Sequence, residues 1–118
     1  MVMHSFDKSK SSPVVNWLAA LCSHLKDQYQ VAGVGVIGMC LTGNFAISLM
    51  TDDAVLAAVS SQPSMPLGNQ KALHMSADDV TNIRKGLDEK GTMLAFRFAG
   101  DKLCTGIKFK ALNAAFLD

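Results

Sequence analysis

The eighteen residues Gly33 to Met50 constrain the fold more than any other stretch of this chain. Gly33-Val34-Gly35-Val36-Ile37-Gly38 is short, β-branched and free of polar alternation, the pattern of a strand buried on both faces. It continues through Met39-Cys40-Leu41-Thr42-Gly43-Asn44 into Phe45 to Met50, which is apolar nearly all round. A helix without a polar face is a buried helix. The stretch therefore predicts a strand, a sharp turn and a buried helix in immediate succession.

The flanking sequence repeats this order. Ser11-Ser12-Pro13 supplies a hydroxyl cap and a first-turn proline, and Val14, Trp17, Leu18, Leu21 and Leu25 then share one helical face up to Tyr29. Ala54 to Ser60 reads as a second buried strand, followed by a loop containing Pro63, Pro66 and Gly68. Ser76-Ala77-Asp78-Asp79 opens another helix, with a cap and first-turn acids, that ends between Lys85 and Gly91. Thr92 to Phe98 is a third strand, Ala99-Gly100-Asp101 a turn, and Lys108 to Leu117 a last helix. The order α-β-α-β-α-β-α implies an α/β fold with a parallel sheet and right-handed crossovers. Residues 1–12 read as a flexible start and residues 13–118 as one domain. Parallel sheets need helices on both faces and usually more than three strands. The sequence thus predicts a partial sheet, with further elements expected before and after it.

Composition narrows the function. With 118 residues, 11 basic and 10 acidic side chains and 49% hydrophobic residues, the chain has the makings of a folded core. Its net charge of +1 provides no electrostatic footprint for nucleic acid or an anionic membrane. The apolar run Val31 to Leu41 is too short to span a bilayer, and the polar start lacks a secretory signal, so the expected compartment is the cytoplasm. Cys22, Cys40 and Cys104 form no CxxC pair, which argues against a disulfide framework, a zinc site or a thioredoxin-like activity. No metal or cofactor is expected.

Ligands of open parallel sheets bind beyond the carboxyl ends of the strands. Cys40 and Asp101 both fall there, after the first and third strands. Gly38-Met39-Cys40-Leu41-Thr42-Gly43 has the form of a nucleophile flanked by small residues on a strand-to-helix turn. Such a turn lifts the sulfur off the sheet, places it at a helix start that favours thiolate, and aims the Leu41 amide at an oxyanion. Cys22 and Cys104 read as core cysteines, and His24 as a solvated helix residue. His74, after the second strand's loop, is a possible stand-in base, and His4 lies in the flexible start. Arg97, inside an apolar strand, implies a carboxylate partner or a sheet edge; the loop Ser61 to Leu67 is a weak pocket wall.

VGVIGMCLTGNFAISLM, Val34 to Met50, together with FRFAGDKLC, Phe96 to Cys104, resembles the dienelactone hydrolase family of α/β-hydrolases. The resemblance covers roughly residues 12 to 118 and corresponds to the central part of that family's domain. It implies hydrolysis of lactones or other carboxylic esters without a cofactor, with Cys40 as nucleophile, Leu41 as oxyanion amide donor and Asp101 as triad acid. Thr42 stands where the family more often has glycine, and the family's histidine follows a strand beyond the last helix here. The catalytic set is incomplete, so weak or absent activity is expected. The alternative is a non-enzymatic piece that associates with itself or a complementing chain through exposed sheet edges.

Overall fold

The computed structural model describes residues 12–64, 69, 73 and 75–117. The expectations for His4, His74, Met65 to Gly68 and all of the start except Ser12 lie outside those residues. The described chain is α/β, with a three-stranded parallel sheet in the order β1-β2-β3.

Helix α1 spans Pro13–Tyr29; Ser12 accepts a hydrogen bond from the Val15 amide, and proline occupies the first turn. Strand β1 (Val34–Met39) runs directly into a 3-10 turn, Cys40–Thr42, and then helix α2, Gly43–Ser48. A second 3-10 turn, Leu49–Thr51, closes that segment before strand β2, Val55–Ser61. Helix α3 (Ala77–Lys90) begins with a reciprocal cap: Ser76 accepts from the Asp79 amide while Asp79 accepts from the Ser76 amide. Strand β3 is short, Leu94–Phe96, and helix α4 (Gly106–Leu112) ends in a wider π turn, Asn113–Leu117. Among the described residues, no helix is long and apolar enough to cross a membrane.

The core lies on one side of the sheet. Ile47, Met50, Val55, Ile83 and Leu112 are almost wholly enclosed, with Cys22 and Phe116 completing the cluster. Each large aliphatic side chain so buried contributes about 1.5–3 kcal/mol. Helix α2 is buried from Gly43 to Ile47, as its nearly all-apolar sequence requires. Gly86 lets α3 lie against the backbone at Met50, whose carbonyl oxygen would be 2.3 Å from an added Cβ.

One expectation is corrected. Strands β1 and β2 are not buried on both faces: Gly35, Ile37 and Met39 are exposed, whereas Gly38 beside them is covered. The order β1-β2-β3 makes both connections crossovers running the same way across the sheet. Crossovers of one hand place both connecting helices on the same side, where α2 touches α3. The run without polar alternation therefore has an apolar covered face and an apolar open one.

Candidate functional site at the carboxyl rim of the sheet

Parallel pairing brings the carboxyl ends of the three strands to one rim. Cys40 follows β1 there without an intervening residue, Ser64 follows β2, and Asp101 follows β3. Gln62 donates its amide to the Phe96 carbonyl at 2.6 Å, which ties the ends of β2 and β3 together.

The turn at Cys40 is tightly specified. Cys40 has φ +53°, a left-handed conformation that costs a residue with a Cβ about 1–2 kcal/mol. Neighbouring contacts hold it there. Thr42 Oγ1 accepts from the Met39 amide at 3.0 Å and donates to the Met39 carbonyl at 2.9 Å. Gly38 carries the close approach, since an added Cβ would lie 2.3 Å from the Thr42 carbonyl oxygen. At Gly43 an added Cβ would lie 2.9 Å from the Pro63 backbone, and Ser60 Oγ donates to the Gly43 carbonyl at 3.0 Å. The glycines of the motif are thus explained by backbone and side-chain crowding on either side of the cysteine. Thr42 braces the turn with its hydroxyl.

Cys40 is exposed, and its thiol donates to Ser64 Oγ at 3.5 Å. The Ser64 amide in turn donates to the Cys40 carbonyl at 3.1 Å. Leu41 is the central residue of the 3-10 turn, so the expected start of a regular helix at the sulfur is a tighter turn, and α2 begins three residues later.

Asp101 takes up its own loop. Its Oδ1 accepts from the Leu103 amide at 2.8 Å and the Cys104 amide at 2.9 Å. The Cys104 amide above all, then that of Leu103, hold its carboxyl below the usual range, and Arg97 adds to the effect. Arg97 satisfies its guanidinium on the carbonyls of Phe98 and Ala99, at the edge strand β3, which accounts for a cation in that apolar segment. His24 is exposed on α1.

One residue near the rim is one that the sequence did not single out. Lys108 is fully enclosed, and burial lowers its amine from 10.5 to about 8. The buried Cys104 thiol is raised by desolvation and by Asp101, and it also senses Arg97, Lys108 and Cys40. The buried Leu112, one turn beyond Lys108, places that lysine on the inward stripe of α4, a signal available from spacing alone. Cys22 and Cys104 are buried, as core cysteines should be.

Beside the elbow, a cleft of about 250 Å³ opens between α1, β1 and α2. Leu18, Leu25, Val36, Phe45, Ala46 and Leu49 make its lining apolar. Among the described residues no group of histidine, cysteine and acidic side chains could hold a metal ion. Comparison with protein-family models, with curated proteins and with solved structures finds no match for this chain.

Proposed function

We propose that Cys40 is a nucleophile toward carboxylic esters or lactones, giving the chain dienelactone-hydrolase-like acyl-transfer chemistry of low turnover. The supporting observation is the left-handed backbone at Cys40, held by Thr42 and permitted by Gly38 and Gly43, which leaves the sulfur exposed at the rim. Strain in a residue with a side chain is uncommon, and it concentrates where a side chain must be aimed. The sulfur attacks the carbonyl carbon, the acyl C–O bond breaks, and the alcohol oxygen takes the thiol proton, departing from an ester and staying tethered to the acyl chain of a lactone. An acyl thioester on Cys40 results, and water releases the acid in a second step. The amide of Leu41 is the donor assigned to the oxyanion.

Turnover depends on a base. Asp101 accepts from amides of its own loop, and among the described residues no histidine bonds to it. Without a base to activate water, the second step is slow, as triad removals of several orders of magnitude illustrate. With p-nitrophenyl acetate, the chain should release one burst of p-nitrophenol and carry one acetyl group, mapped to Cys40 by peptide mass spectrometry. Cys40→Ala should show neither, and steady turnover of the two proteins should be equal. Acetylation spread equally over Cys22 and Cys104, or absent, refutes the nucleophile. Sustained turnover that depends on Cys40 refutes the low-turnover assignment and directs attention to His74.

A further inference from the structure

We propose that the open face of the sheet is the contact surface for a second copy of this chain. The strand register assigns that face. Gly35 pairs with Ala57, Ile37 with Val59 and Leu94, and Met39 with Ser61 and Phe96; paired neighbours project to the same side. The covered side holds Val36 with Ala58, and Gly38 with Ser60 and Ala95. Helix α2 packs on β1 and β2 and touches α3, so the connecting helices share that side. Among the described residues, no helix lies on the other.

The open face is apolar and uncharged. Ile37 is 73% exposed, Met39 60%, Leu94 55% and Phe96 53%, and Phe98, which continues the alternation past β3, is 68% exposed. Parallel sheets occur almost only with both faces covered. Each of these five side chains leaves on the order of 100 Å² in water, given the area that burying an aliphatic or aromatic side chain removes. With the low middle strand included, the patch is on the order of 600 Å² per copy, at the upper limit for a lone monomer. Two such patches face to face bury about 1,200 Å², enough to enter the range of stable, specific interfaces.

Its large side chains lie on the two edge strands. Ile37 and Met39 form one ridge, Leu94 and Phe96 another, and Ala57, Val59 and Ser61 form a trough between them. A two-fold axis between two such faces sets both ridges of each copy against the other copy's sheet. The contact is isologous and closed, which predicts a dimer rather than a filament. Its apolar character requires no charged partner.

Sedimentation equilibrium of the full chain over a wide concentration range tests this. The expected result is a monomer–dimer equilibrium. Phe96→Asp and Ile37→Asp should each weaken it by roughly thirtyfold or more, as loss of a central anchor does. Trp17→Asp, on the exposed side of α1, should leave the dissociation constant unchanged, and circular dichroism should show native helix in all three variants. If one face variant fails to fold, the other carries the test, and Leu94→Asp replaces it. A wild-type chain that stays monomeric at every concentration overturns the proposal, because the face is then covered by another molecule or by none. Dimerisation insensitive to the face variants, or open-ended assembly, overturns it equally.

Discussion

Replacing Gly38 by alanine gives a stringent test of how the rim is held. An added Cβ would lie 2.3 Å from the Thr42 carbonyl oxygen, 2.9 Å from the carbonyl carbon and 2.9 Å from Ala46 Cβ. Comfortable contact begins near 3.5 Å, so the Thr42 carbonyl has to retreat by about 1.2 Å. It is poorly placed to do so. Thr42 is bonded twice to Met39 through its hydroxyl, and Ala46 belongs to the buried helix α2. Overpacking a side-chain environment costs about 1–3 kcal/mol, and here the obstacle is backbone, so Gly38→Ala should lose about 3 kcal/mol. Gly35→Ala is the matched control on the same strand, since its nearest heavy atom is the Ala57 carbonyl oxygen at 4.0 Å. With room available, that change should be neutral or stabilise by about 0.4–1 kcal/mol through the unfolded state. Urea unfolding followed by circular dichroism measures both, and the iodoacetamide rate at Cys40 reports the turn itself. Should Gly38→Ala unfold at the same urea concentration as Gly35→Ala, the elbow is not held in the manner described.

Two other substitutions bear on the same rim. Cys40→Gly removes a left-handed strain of about 1–2 kcal/mol but adds about 0.5–1 kcal/mol of unfolded-state entropy, so thermal unfolding should show a variant at least as stable as Cys40→Ala. Lys108→Met addresses pH. The folded amine titrates near 8 and the unfolded one near 10.5, so between those values the unfolded chain binds the extra proton and stability rises with pH. Allowing for screening, the gain should be on the order of 2 kcal/mol. The raised Cys104 thiol works in the opposite sense, so urea titrations across that window should show the effect as a difference, with stability falling with pH in Lys108→Met and held up or rising in the wild type.

The element order was readable because local signals carried it. Ser12 and Ser76 cap α1 and α3 as their sequences imply, and proline and glycine punctuation separates the strands. The elbow was readable for the same reason: Gly38 and Gly43 frame Cys40 within six residues. Face assignment was not. Val34 to Ile37 lacks polar alternation whether its second side meets a helix of the same chain or another molecule, so the pattern cannot distinguish the two cases. Asp101 was placed correctly beyond β3, but its bonds to Leu103 and Cys104 depend on a loop geometry that no periodicity encodes. Lys108 escaped notice because a charged residue in a helix ordinarily lies in water, and only its alignment with Leu112 pointed inward.

The left-handed elbow and the bare face meet on strand β1. Placing β1, β2 and β3 side by side in chain order sends both connections over the same side of the sheet. Helix α2 packs against β1 and β2, and at the strand exit Gly38 clears the Thr42 carbonyl where Cys40 turns left-handed. The strand order withdraws all described helices from the opposite side, where Ile37 and Met39 emerge from the very strand that delivers Cys40. A partner seated on that face would press on β1 one residue before the elbow. Occupancy of the face and the reactivity of Cys40 should therefore be coupled, with Met39 as the joint between them. Alkylation of Cys40 at protein concentrations below and above the dimer midpoint should give two different rates in the wild type and a single rate in Phe96→Asp.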